Sequence, residues 1–299
     1  MEGIHLMQLP EELLEAVLRE ETKLTFVGNE SDHVVLTTES ESYSVRIAET
    51  TNSMLIVPEA GSELLPEGEV EAVGEDVGND GDARLARYIT NTLFEYYELT
   101  RTTPKTRRLR ELLKAAAYAG AELEEATAGS GGIGDVDALF STEQLLDAVQ
   151  ASEAELFVAL AELGAVEMDG KWRTLAPEYT ATLLDLVITV ADELGTELTI
   201  DPLDIRTVLA AAPEYNPVAL EHVCLLFTDE RDDGSLVLSA GKVARFKGVE
   251  LLRLATSDWV LSEFLAAWRS TVPVDFHAAV DLATLYGTAV VTAPARRCR

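Results

Sequence analysis

The sequence predicts an α+β protein, with an N-terminal β-rich half-barrel followed by tandem winged-helix domains, the last incomplete. Three observations carry that expectation. Short runs rich in Val, Ile, Thr and Tyr crowd residues 24 to 57. Residues 141 to 175 read as two capped helices and a tight hairpin. The same pattern then recurs, with looser spacing, towards the end of the chain.

In order along the chain, Pro10 opens a short helix over Glu11 to Glu20. Leu24 to Val27, His33 to Thr38, Tyr43 to Ala48 and Ser53 to Val57 follow as four strands, with polar turns such as Gly28-Asn29-Glu30 between them, which is a meander or half a barrel. Glu59 to Asp82 is acidic, glycine-bearing and aperiodic, so it reads as a mobile loop. Strand-like sequence returns over Tyr88 to Thr103, with Phe94, Tyr96, Tyr97 and Leu99. A sheet this small leaves edges open unless another chain pairs with them, so a partner subunit is the economical expectation. Pro104 breaks the strand, and Arg107 to Ala119 reads as a helix. Glu122 to Asp137 contains Gly129-Ser130-Gly131-Gly132-Ile133-Gly134, read as a small-residue linker and the main domain boundary.

Ser141 with Gln144, and Ser152 with Glu155, have capping-box spacing. Leu145, Leu146 and Val149 line one face of the first helix; Leu156, Phe157, Leu160 and Leu163 line one face of the second. Gly164 suits the left-handed residue after a helix, and Asp169-Gly170 suits a two-residue hairpin turn before Trp172. A second unit follows: a helix over Leu183 to Leu194, one capped by Asp201-Pro202 and running to Leu209, one capped by Asn216-Pro217, the turn Asp232-Asp233-Gly234, a strand Leu236 to Leu238 and a helix to about Leu254. A third starts at Trp259 with a helix Leu261 to Trp268, continues through Phe276 to Leu285 and reaches a strand Ala289 to Thr292. The resulting division is a β-rich partner-binding domain with the basic helix (1–121), a linker (122–138), and winged helices over 139–180, 181–256 and, in part, 257–299.

The 299 residues carry a net charge of −30 with 47% hydrophobic side chains, which argues against a protein that coats nucleic acid with its whole surface. The charge is uneven: residues 1 to 82 hold 20 acidic and 3 basic side chains, whereas Arg101, Lys105, Arg107, Arg108, Arg110 and Lys114 face only Glu111. Two readings fit this strip, a solvated or internally paired helix face and a contact with DNA or an acidic partner. The first ten residues lack a secretory signature and nothing approaches a membrane span, so a protein with no membrane role is expected. Two cysteines, Cys224 and Cys298, make no disulfide framework.

Motifs for chemistry are missing. The glycine cluster at 129 to 134 lacks the Lys and Ser/Thr of a P-loop, and Gly241-Lys242 lacks the upstream glycine. Asp229, Asp233 and Gly234 have calcium-loop spacing, but Arg231 and Ala240 stand at ligand positions. His5, His33, His222 and His277 are scattered, and Trp172, Trp259 and Trp268 read as core fillers. A non-enzyme without cofactor or metal is expected.

Several segments resemble the Dcc family, the non-catalytic subunit of the alternative, cohesion-specific replication factor C clamp loader. They are Tyr43 to Pro58 (YSVRIAETTNSMLIVP), Tyr97-Glu98-Leu99 with Pro104 and the basic strip, Ser141 to Trp172 around Gln150-Ala151-Ser152-Glu153, and Phe264 to Trp268 with Val272-Pro273. The resemblance implies a nuclear protein of DNA replication and sister chromatid cohesion. Its β-rich half completes a barrel shared with the small subunit and with the C-terminal tail of the AAA+ large subunit. Its winged helices contact DNA and the catalytic part of DNA polymerase epsilon, and the sliding clamp is met only indirectly. Lys171 and Arg173 on the first wing, with Lys242, Arg245 and Lys247 in the second unit, are then candidate phosphate contacts. The family continues beyond the Trp268 region to finish a third winged helix, whereas this chain closes on Pro294-Ala295-Arg296-Arg297-Cys298-Arg299, as a shortened form or an incorrect gene model does. The expected function is a scaffold subunit that ties clamp loading to the replication fork. The alternative is a free-standing winged-helix DNA-binding regulator.

Overall fold

The runs rich in Val, Ile, Thr and Tyr between residues 25 and 56 become an antiparallel meander in the computed structural model, which describes residues 4–28, 32–57, 89–115, 117–127 and 139–290. Strands β1 (Met7–Gln8), β2 (Thr25–Val27), β3 (Val35–Thr37), β4 (Ser42–Ile56) and β5 (Asn91–Arg101) form a sheet in the order β1-β5-β4-β3-β2. All pairings are antiparallel except the short parallel pairing of β1 with β5. The half-barrel expectation for this region therefore holds in outline. Two details differ. Tyr43 to Ala48 and Ser53 to Val57 belong to one strand, because the polar stretch between them is an irregularity in the β4–β5 ladder rather than a turn; the register slips between Glu49 and Met54. Strand β1 has no sequence signal, being two residues long. The expected loop Glu59 to Asp82 lies outside the described residues.

The chain divides into two compact units, each assembled from two separate stretches of sequence. The first comprises Met1–Arg108 with Leu145–Val158, the second Leu109–Gln144 with Ala159–Arg299.

In the first unit, helix α1 (Glu11–Leu18) buries Leu13 with Leu36 and Tyr43, and Met7, Leu9, Val17, Leu24, Val45 and Leu99 surround them. The segment 145–158 is tied to this sheet by polar contacts. The buried Gln150 donates from Nε2 to the carbonyls of Val27 (3.0 Å) and His33 (2.7 Å) and accepts from Lys105 Nζ at 2.6 Å. Ser152 N donates to Ser42 Oγ at 3.1 Å, and Ala154 N to the Glu39 carbonyl at 3.0 Å. Such bonds satisfy groups that burial would otherwise leave at a cost of about 1–3 kcal/mol each.

The helices that follow are α2 (Arg107–Ala115), α3 (Ala121–Thr127), α4 (Thr142–Ala148) and α5 (Glu153–Glu162). Helix α2 is shorter than expected, and α3 occupies the start of the expected linker; the glycine run itself lies outside the described residues. Both capping boxes form. Gln144 Oε1 accepts from Ser141 N at 2.9 Å while Ser141 Oγ accepts from Gln144 N; Glu155 Oε2 accepts from Ser152 N at 2.9 Å while Ser152 Oγ accepts from Glu155 N. Gly164 at φ 61° ends the second helix. A hairpin of β6 (Ala165–Met168) and β7 (Lys171–Thr174) then turns through Asp169 and Gly170, both at positive φ.

The rest of the second unit contains α6 (Pro177–Glu193), α7 (Ile205–Ala211), α8 (Pro217–Leu226), β8 (Thr228–Glu230), β9 (Leu236–Leu238), α9 (Ala240–Arg253) and α10 (Leu261–Ser270). Asn216 caps α8 as expected, its Oδ1 accepting from Val218 N and Ala219 N. Helix α7 is capped by Asp204, not Asp201, whose carboxylate instead accepts from Glu197 N. Two short 3-10 helices, Val274–Ala279 and Leu282–Leu285, replace the expected continuous segment, and Ala289 and Val290 form no strand. One apolar cluster joins these elements, from Tyr118 and Val166 through Leu183, Leu220 and Val243 to Phe276 and Leu285. At its centre Trp268 is fully buried, donates from Nε1 to the Ala244 carbonyl at 2.7 Å and lies flat against Gly248. A Cβ at Gly248 would stand 2.6 Å from the indole, so only glycine fits. No helix among the described residues is long and apolar enough to cross a membrane.

Candidate assembly surface and basic strip

Register places Tyr43, Val45 and Ile47 of β4 on one face of the sheet, opposite Arg101, Leu99 and Tyr97 of β5. Along that face burial runs out: Tyr43 is 7% exposed, Val45 half-buried and Ile47 60% exposed. Beyond it Ile47, Leu93 and Tyr97, with Ile4, Leu6 and Glu95, line an indentation of about 90 Å³. Leu55 and Phe94, on the other face, are 52% and 58% exposed. The far end of the β4–β5 hairpin thus shows apolar side chains on both faces, the distribution of a sheet whose core is incomplete.

The main chain is open at the same place. Strand β1 covers β5 only at Tyr97 and Glu98, with a further bond from Tyr97 N to the Leu6 carbonyl at 2.8 Å. From Asn91 to Tyr96 that edge of β5 has no strand beside it among the described residues, and β2 forms the other edge. An open edge flanked by exposed apolar side chains is suited to strand addition, in which the backbone supplies affinity and side-chain seats supply specificity.

The basic residues read from the sequence have several fates. Arg107, Arg108, Arg110 and Lys114 are exposed on α2, whose buried face is Leu109 and Leu113. Arg101 is exposed and paired with Glu41 at 2.8 Å, a surface contact of small net worth. Lys105 is exposed along its stem but fixed at its tip by Gln150. Lys171 is half-buried, with Nζ 3.0 Å from Gln144 Oε1. Lys242 is exposed and bound to Asp229 (2.8 Å) and the Thr228 carbonyl (2.6 Å), and Arg245 Nε donates to the Thr284 carbonyl at 3.1 Å.

Arg173 and Lys247 do not fit a role as phosphate contacts. Arg173 is 5% exposed, with its guanidinium on Glu124 of α3 and 4.8 Å above the Tyr118 ring. Lys247 is 6% exposed and holds Asp185 at 2.8 Å and Glu250 at 3.5 Å. A cation buried in such a pair stabilises the fold only while the pair lasts, and exposing it to a phosphate breaks that pair. Sequence shows the positive charge but not the distant carboxylate that meets it.

The exposed face of α5 carries Glu153, Ala154, Phe157, Val158, Ala161 and Glu162, with no basic side chain. A helix inserted in a major groove presents donors or cations to bases and phosphates, and this one has none. Trp268 fills the core as expected, whereas Trp259 is 40% exposed and sits at the rim of a cleft of about 640 Å³ with Leu252, Leu261, Phe264 and Leu282. Burial pushes the Cys224 thiol up to about 12, so it stays protonated and unreactive.

The family model for the Sister chromatid cohesion protein Dcc1 matches residues 4–298. The chain is 29% identical over 269 residues to Sister chromatid cohesion protein DCC1 of Mus musculus, covering 88% of this chain and 62% of that protein. It is 28% identical over 281 residues to the same-named protein of Xenopus tropicalis (91% and 66%) and 28% over 272 residues to that of Homo sapiens (90% and 64%). The chain thus spans slightly under two-thirds of the length of these curated relatives. With a family model that runs over nearly all of its residues and relatives that match in the same order, the chain belongs to the Sister chromatid cohesion protein Dcc1 family.

Proposed function

We propose that this chain acts in sister chromatid cohesion as a non-catalytic nuclear subunit of the alternative replication factor C clamp loader, tying clamp loading to the replication fork. Family membership supports the cohesion role. The observation that carries the assembly role is the unfinished sheet, with the open Asn91–Tyr96 edge beside exposed Ile47, Leu55 and Phe94. Strands from the small subunit and from the C-terminal tail of the AAA+ large subunit would pair there and bury those side chains. The helix and hairpin elements from Thr142 onwards, read as winged helices, then face the catalytic part of DNA polymerase epsilon. The acidic and apolar face of α5 suits protein contact better than a DNA groove. DNA contact is left to α2 and to Lys171, Lys242 and Arg245, and it is weak in a chain of charge −30.

Co-expression with the two clamp-loader partners tests this reading. A stable ternary complex is expected from the wild-type chain, and Ile47→Asp with Phe94→Asp abolishes it. Failure of the wild-type chain to form that complex refutes the proposal.

A further inference from the structure

Thr103-Pro104 is the one Ser/Thr-Pro dipeptide in the 299 residues, and it falls where the chain leaves β5 and has not yet entered α2. The residue before a proline is held in extended backbone, and Thr103 is exposed in that stretch. The segment is pinned on either side: Thr102 N donates to the Ser42 carbonyl at 2.9 Å, and Lys105 N to the Gln150 carbonyl at 3.1 Å. Between these anchors the Thr103 hydroxyl has no hydrogen-bond partner among the described residues. Lys105, Arg107 and Arg108 follow at two, four and five residues, all exposed.

We propose that Thr103 is a phosphorylation site for a proline-directed Ser/Thr protein kinase that uses ATP and also reads the cations following the proline. Thr103 Oγ1 attacks the γ-phosphorus; the new O–P bond forms as the bond from that phosphorus to the β,γ-bridging oxygen breaks. The hydroxyl proton passes to the kinase's catalytic carboxylate and ADP departs. An accessible extended segment with a fixed proline and a run of positive charge has the shape and charge pattern such a kinase discriminates by.

The added group carries a charge of about −1.5 to −2 at neutral pH. It arrives beside a stretch of 14 residues, 101–114, whose sequence holds six cations and one acidic side chain, Glu111. Helix α2 has no acidic residue in its first turn, where Arg107, Arg108 and Arg110 stand against the positive end of the helix dipole. A phosphate just upstream relieves that conflict and neutralises the strip internally, lowering its attraction for a polyanion. Only this last consequence rests on the proposed role of the strip; the modification itself does not depend on the clamp-loader reading.

The test incubates the purified full chain, and a peptide of residues 98–110, with ATP and a recombinant cyclin-dependent kinase. One phosphate per chain is expected, located at Thr103 by peptide mass analysis, absent in Thr103→Ala and added about tenfold more slowly to Pro104→Ala. In the phosphorylated chain, the second ionisation followed by phosphorus NMR is expected to fall below the value of about 6 for a free phosphoamino acid, because neighbouring cations favour the dianion. Arg107→Gln with Arg108→Gln moves it back up. Modification of the peptide but not of the chain, modification of neither, or a phosphate at another residue each overturns the proposal, and an unshifted ionisation overturns the pairing of the phosphate with Arg107 and Arg108.

Discussion

The two units differ in how each is held together. The second is organised around one apolar cluster that runs from Tyr118 to Leu285, with Trp268 and Phe276 fully buried in it. The first has Leu13, Leu36 and Tyr43 at the centre of its cluster and closes much of the remainder with polar bonds from Gln150, Ser152 and Ser42. An apolar cluster tolerates water at its margins but not a lost ring; a polar latch tolerates little loss of partners but adds directionality. The proposed assembly edge lies in the unit with the smaller apolar cluster. There Ile47, Leu55 and Phe94 stand exposed at the far end of the hairpin.

The sharpest way to break the contrast is Trp268→Ala, expected to destabilise the second unit by about 3–5 kcal/mol, as read by urea denaturation. Next is Gly248→Ala, whose added methyl meets the indole; a loss of about 1–3 kcal/mol is expected, and Trp268→Leu in the same chain should recover part of it. Gln150→Leu tests the latch, because it leaves the Val27 and His33 carbonyls and the Lys105 ammonium without their partner. About 1–3 kcal/mol should be lost, with hydrogen exchange rising in β2 and β3 and not around Trp268.

A smaller, pH-dependent effect belongs to His222, whose Nε2 lies 2.9 Å from the Gly164 carbonyl and whose burial holds its pKa below the usual histidine value. Because the folded value is the lower one, its contribution to stability is complete above the unfolded pKa and is lost as pH falls through the folded value. His222→Gln should therefore flatten the acid side of the stability profile. The least effect on the isolated chain is expected from Ile47→Ser with Phe94→Ser, within about 0.5 kcal/mol by denaturation. An equally small effect on partner affinity would show that the exposed end of the hairpin is not an assembly surface.

Local chemistry was legible where the signal was local. Ser141 with Gln144, Ser152 with Glu155, Asp169-Gly170 and Asn216-Pro217 all act within a few residues of themselves, and each forms as its spacing implies. The continuity of β4 was not legible, because Glu49 to Ser53 is polar and both faces of the hairpin are exposed there, so no alternation marks it as strand. The cap of α7 was misplaced by the stronger-looking Asp201-Pro202; Asp204 takes the role through Arg206 N. The candidate site was half visible. Aromatic and apolar residues over Tyr88 to Thr103 marked the region, but the bare stretch of edge depends on how far β1 runs beside β5. Arg173 and Lys247 read as surface cations since Glu124 and Asp185 lie 49 and 62 residues away in sequence.

The seating of residues 145–158 on the sheet sets a timetable for synthesis. The strands finish emerging with β5, yet Gln150 and Ser152 are translated about 50 residues later, which at about 5–20 residues per second is a delay of roughly 2.5–10 s. For that interval the nascent sheet lacks the amide that ties Val27 to His33. Chaperone capture during translation, or assembly with a companion polypeptide made at the same time, is what such an order of appearance favours.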